Sequence, residues 1–300
     1  FIYNNHMKNA FYLSLFLIIV SSCSDSVSPV DAALENQILH FGNGSEPQGL
    51  DPHIVTGVPE HHLLISMCEG LTIANPKGGE NLPGVAESWD ISEDGKTYTF
   101  FLNQNAKWSN GDQVTAQDFV WSWMRILTPS LGSQYPDMLY YLKGAEDFHQ
   151  GKTKDFSNVG VSAINDHELR VELKNPTPFF IRLLSHYSTY PVHKETVLKH
   201  GTIDDRNGKW TRPGNFVCNG PMNLKAWELN KQIIVEKNPL YWDADRVRLN
   251  EIRYYPVSNE STEDRMFRAG QLHVTNVVPL EKCPIYIENE NPNLRIEPYM

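Results

Sequence analysis

Basic excess, catalytic signatures, metal-ligand spacings and long apolar runs are all missing from this chain. Lys and Arg number 26 against 36 Asp and Glu, a formal net charge of −10. A surface of that sign repels nucleic acid and offers no basic membrane patch. No GxSxG, HExxH, Walker or GxGxxG motif occurs, and the eleven histidines fall without ligand spacing. Cys68, Cys218 and Cys283 match no CxxC metal signature, and three thiols leave one unpaired in any disulfide scheme. Which two would pair stays open; Cys68 reads as a packing residue. No repeat or low-complexity segment is present. With 40% hydrophobic and 21% charged residues over 300 positions, the composition is that of a globular protein with one or two domains.

The longest apolar run, Ala10–Val20, is too short to span a bilayer. It follows Met7-Lys8-Asn9 and precedes Val20-Ser21-Ser22-Cys23, an order that reads as a signal segment ending in a lipobox. Residues 1–22 are therefore assigned as signal, with 7–22 its proper extent, and 23–31 as a tether lipidated at Cys23.

The most informative stretch is Leu82–Leu127. Tyr98, Phe100 and Leu102 alternate with Thr97, Thr99 and Phe101, the period of a strand, after the turn dipeptide Asp94-Gly95. Trp108-Ser109-Asn110-Gly111-Asp112 marks a tight turn. Thr115 and Asp118 then form a capping-box variant ahead of Phe119, Val120, Trp123, Ile126 and Leu127, one apolar helix face. Elsewhere the pattern predicts a strand at Ile38–Phe41, a helix over His61–Leu71 with a solvated start at His61-His62, and a helical run from Met138 to Phe148. Further strands are predicted at Asn165–Leu173, Asn223–Trp227, Lys231–Glu236, Ile252–Val257 and Leu272–Val278, with a helix over Thr262–Ala269 ending at Gly270. Alternating strands and helices imply an α/β, mixed α+β, fold.

Taken together, Gly84-Val85-Ala86-Glu87-Ser88-Trp89, the strand after Asp94-Gly95, the run from Ala106 to Trp123, Trp210-Thr211-Arg212-Pro213-Gly214-Asn215 and Lys237-Asn238-Pro239-Leu240-Tyr241-Trp242 resemble the bacterial extracellular solute-binding proteins, family 5. The opening loop from Asn43 to His53 points to its oligopeptide-binding branch. The resemblance runs from about Ile38 to Met300. It implies a periplasmic-binding-protein-like type II lobe built from residues 32–69 and 194–300, with 70–193 as an inserted second domain. It further implies that the chain is a fragment, lacking a third domain that forms the opposing jaw.

The resemblance also implies a function: a monomeric lipoprotein, periplasmic or on the cell surface, that holds an extended oligopeptide by its backbone and delivers it to an ABC permease, with no cofactor. Thr56, Gly57 and Val58 are expected to lie extended against the ligand, with Tyr135 and His186 touching it. Thr56 stands where the oligopeptide-binding branch it most resembles has an acidic residue, so a charge beside the ligand is lost. A dipeptide, murein-peptide or metal-chelate binder on the same fold, or an exported hydrolase, are the competing readings. Lipidation has a direct consequence: in the full-length protein Cys23→Ala should move it from membrane to soluble fractions and abolish fatty-acid labelling.

Overall fold

Period-two alternation builds two four-stranded sheets in residues 27–296, the part of the chain that the computed structural model describes. The signal and lipidation assignments, Cys23 included, lie outside the described residues. One sheet runs β1 (Ile38–Gly42), β10 (Glu251–Tyr255), β9 (Gln232–Lys237), β8 (Met222–Glu228), with β1 and β10 parallel and the other pairs antiparallel. The other runs β4 (Ala86–Ile91), β5 (Thr97–Leu102), β7 (Glu168–Glu172), β6 (Val161–Asn165) and is antiparallel throughout. A small pair, β2 (Thr72–Ile73) and β3 (Leu82–Pro83), completes the strands.

Each sheet has its own core. Tyr98, Phe100 and Leu102 of β5 are buried, while Thr97, Thr99 and Phe101 on the opposite face stay half-exposed. They pack with Phe119, Trp123, Ile126 and Leu127 in a cluster whose fully buried members span Leu71 to Leu184. The second cluster joins Leu50, Leu63, Leu64 and Met67 to Trp210, Ile233, Val235 and Ile252. Each fully buried aliphatic or aromatic side chain contributes about 1.5–3 kcal/mol.

The helix Ala116–Leu127 lies between the two cores. Its start is fixed as the sequence predicts: the Thr115 N–H donates to Asp118 Oδ2 at 2.7 Å. The prediction of one apolar face is incomplete, however. Trp121, Ser122 and Arg125 are buried on the far side, and Trp121 belongs to the second core. Arg125 is fully enclosed and forms a two-pronged pair with Asp51, Nη1 to Oδ1 at 2.9 Å and Nη2 to Oδ2 at 2.6 Å. Nη1 also donates to His53 Nδ1 at 2.9 Å, and the guanidinium lies 5.6 Å from the centre of the Trp210 ring.

Three other expectations change. The helical run Met138–Phe148 is broken into a 3₁₀ turn, Pro136–Leu139, and a helix, Ala145–His149. Gly144 between them sits at φ +71°, and a Cβ there would meet the Asn158 carbonyl oxygen at 2.5 Å. Leu272–Val278 is no regular strand. It touches the free edge of β1 through one bridge, Phe41 to Val274, with His273 N–H donating to the His40 carbonyl at 2.8 Å. The helix predicted over His61–Leu71 runs from Val58 to Met67, because Pro59 and Glu60 favour the first turn of a helix.

The Asp51–Arg125 pair generates a stability test. Arg125→Met leaves the Asp51 carboxylate buried without its counter-charge, which should cost about 3–5 kcal/mol in denaturant unfolding. Arg125→Met combined with Asp51→Leu should recover most of that loss. A single variant as stable as the parent would contradict the role given to the pair.

Candidate functional site

The loop from Asn43 to Gly57 is held in shape by its own polar groups. The Asp51 carbonyl accepts from the Ile54 and Val55 N–H groups at 3.0 and 3.1 Å, and Asp51 Oδ1 accepts from the His53 N–H at 3.0 Å. The buried Glu60 carboxylate folds back over the loop and accepts the Gln48 N–H at 2.6 Å. The chain thus arrives extended at Gly57 (φ −85°, ψ 156°), the N-cap of the Val58–Met67 helix. Val58 is not extended, as the family resemblance implies, but the first helical residue; its side chain stands 57% exposed.

Two tyrosines clamp this edge. Tyr187 Oη donates to the Val55 carbonyl at 3.1 Å, and Tyr135 Oη to the Thr56 carbonyl at 3.4 Å. The Gly57 carbonyl accepts the His61 N–H at 3.0 Å. The N–H groups of Gly57 and Val58 have no partner among the described residues. What remains on offer here is a pair of backbone donors.

His186 completes the group. Its ring stacks on Tyr187 at 4.3 Å and meets Tyr135 edge-on at 5.1 Å. Its Nδ1 accepts the Ser188 N–H at 3.3 Å, which leaves the proton on Nε2. The structure therefore joins Tyr135 to Thr56 directly, whereas His186 reaches this group only through its ring contacts with Tyr135 and Tyr187. Sequence reasoning missed Tyr187 and His61, whose ring lies 5.7 Å from that of Tyr187. It also misplaced His61-His62 as solvated: both are half-buried, and His62 Nδ1 bonds Asn43 Oδ1 at 3.0 Å.

A second polar cluster lies where the chain crosses between the cores. The Glu69 carboxylate, 3% exposed, accepts from Tyr241 Oη at 2.6 Å and Trp242 Nε1 at 2.8 Å. The Asn219 amide bridges the Glu69 backbone, accepting its N–H at 3.0 Å and donating to its carbonyl at 2.9 Å. Cys68 and Cys218 are buried free thiols, and Cys283 is free as well. Among the described residues no three His, Cys, Asp or Glu side chains gather to hold a metal, and no helix is long and apolar enough to cross a membrane.

The model of the bacterial extracellular solute-binding proteins, family 5 Middle, matches residues 81–300. The chain is 41% identical over 269 residues to the periplasmic oligopeptide-binding protein OppA of Escherichia coli, covering 89% of this chain and 48% of that protein. It is 34% identical over 279 residues to the periplasmic murein peptide-binding protein MppA of the same organism, covering 91% and 50%. Among solved structures, Haemophilus influenzae OppA in complex with RPPGFSPFR matches with a TM-score of 0.80 at 35% identity, over 86% of this chain and 49% of that one. The chain spans about half the length of the curated relatives it matches.

The site carries a pH signature. Burial pushes His53, His62 and His186 down to about 4 from 6.5, helped by Arg125 at His53 and by His61 at the other two. The unfolded chain thus binds more protons between pH 4 and 6.5, so this stabilisation is complete above 6.5 and is lost as pH falls toward 4. Glu69 opposes it: burial raises its carboxyl from 4.5 to about 7 against the two donors, favouring the fold below 4.5 and less so as pH rises through 7. The thermal midpoint should fall from pH 6.5 to pH 4, and fall more steeply in Glu69→Gln. A flat midpoint over that window would contradict the three burials.

Proposed function

The chain belongs to the bacterial extracellular solute-binding proteins, family 5, and from that membership we propose that the full-length protein captures extended oligopeptides and delivers them to the permease of an ABC importer. The observation that carries this reading is the clamped edge at Thr56–Val58. Free N–H groups at Gly57 and Val58 suit the carbonyl oxygens of an extended peptide, as in strand addition. Recognition through main-chain groups is indifferent to sequence, and the uncharged Thr56 adds no ionic demand. Tyr135 and His186 supply packing beside the backbone contact.

In this reading residues 32–69 and 194–300 form the lobe that presents the edge, and 70–193 an inserted domain; the two separate cores support that division. Closure of an opposing jaw would bury the ligand and create the form that docks on the permease. The Glu69 crossing, with its close-packed backbone, lies between the cores and would keep their relation fixed while the jaw moves. A lipid at Cys23 would hold the protein at the outer side of a membrane, working as a monomer without a cofactor.

Isothermal titration of the full-length protein with a mixed set of short peptides tests the proposal. Val58→Pro removes one donor, while the fold accommodates proline at a helix start preceded by an extended residue. One lost hydrogen bond of about 1 kcal/mol should weaken binding about fivefold. Tyr135→Ala, which also unclamps the Thr56 carbonyl, should weaken it by about tenfold or more. Unchanged affinity in both folded variants would remove this edge from the ligand site.

A further inference from the structure

We infer that His61 gives the bound peptide a preference for a flat aromatic side chain at the residue lying against the Thr56–Val58 edge, a selectivity that rests on the peptide-binding reading above. His61 follows Val58 by three residues, so the two share the outward face of the first helical turn. Its ring is in contact with Tyr187, which in turn meets His186 and Tyr135, at centroid distances of 5.7, 4.3 and 6.3 Å. Tyr187 is buried as the floor of this group, while His61, Tyr135 and His186 remain half-exposed around it.

Ionic recognition has little to work with here. Thr56 carries no charge, and the Glu60 carboxylate is buried and bonded to the Gln48 N–H. Asp137 is an exposed carboxylate whose charge reaches His186. Burial lowers both imidazoles, so at neutral pH the walls are uncharged rings. Rings arranged stacked and edge-on favour a further ring in one of those geometries over an aliphatic side chain of similar area. Unlike the His62 ring, which bonds Asn43, the His61 ring nitrogens have no hydrogen-bond partner among the described residues, so the imidazole is not committed to holding the fold.

The test uses the full-length protein and a set of tripeptides: trialanine, and analogues in which each residue in turn is phenylalanine or leucine. Titration calorimetry should find one position where phenylalanine binds about three- to tenfold more tightly than leucine. In His61→Ala that ratio should fall to near one, and in His61→Phe it should return, because the ring and not the imidazole nitrogen makes the contact. A ratio near one in the parent, a ratio that survives His61→Ala, or no recovery in His61→Phe each overturns the inference while leaving peptide binding intact. Failure of every tripeptide to bind overturns both the inference and the peptide reading.

Discussion

The two-pronged contact between Asp51 and Arg125 governs how the halves of this structure meet. Taking both charges out of water costs several kcal/mol per ion, and only close geometry with further hydrogen bonds offsets it. Here the guanidinium has both carboxylate oxygens, the His53 imidazole and the Trp210 face around it. At Asp51 burial alone would raise the carboxyl, yet the Arg125 charge and its bonds overcome that and leave it below the usual range. Arg125 sits on the helix shared by the two cores, and Asp51 begins the turn that aims Val55 and Thr56 at the two tyrosines. A charge pair deep in the interior thereby sets the position of backbone groups at the surface.

The crossing beside Glu69 makes a second junction of a different kind. Gly70 lies so close to Tyr190 that a Cβ would meet Cδ1 at 2.6 Å, and one at Gly220 would meet the Met67 carbonyl carbon and oxygen at 2.6 Å. Backbone packed on a ring at Gly70 and on backbone at Gly220 leaves no room for a side chain at either glycine, and the polar groups there satisfy one another. Asn219, Tyr241 and Trp242 do so around Glu69. The adjacent Tyr241 and Trp242 thus act locally, as two donors directed at one buried carboxylate.

What could be read in the sequence was what depends on neighbours. β5 and its turn, the Thr115–Asp118 cap and the β8–β9 hairpin follow from residues within a few positions of one another. Arg125 shows the opposite case. Its partners lie 74 and 72 positions away, and no spacing rule distinguishes an arginine bound for the interior from one on a solvated helix face. The break at Gly144 had a local signature in the glycine itself, which alone adopts φ +71° without strain, whereas its close approach to the Asn158 carbonyl is a tertiary contact that no local pattern shows. Family resemblance singled out Thr56, Tyr135 and His186 as ligand contacts, while the direct bond of Tyr135 to the Thr56 carbonyl joins residues 79 positions apart and has no signature in period or composition. His61 was set aside because adjacent histidines do not share a helix face, a correct rule that left out the ring packing supplied by Tyr187.

The occupied carbonyls at Val55, Thr56 and Gly57 have a consequence for the company this protein keeps. An exposed extended segment with donors and acceptors alternating is a template on which any other chain can grow a ladder, including another copy of the same molecule. Here Tyr187, Tyr135 and the helix's own His61 N–H occupy three acceptors in a row, leaving a short stub of donors that ends where the helix begins. Such a stub can take one short segment and has no onward register in which a second strand could continue. On the peptide-binding reading proposed above, an edge that meets extended polypeptide would in this way be kept from seeding aggregation.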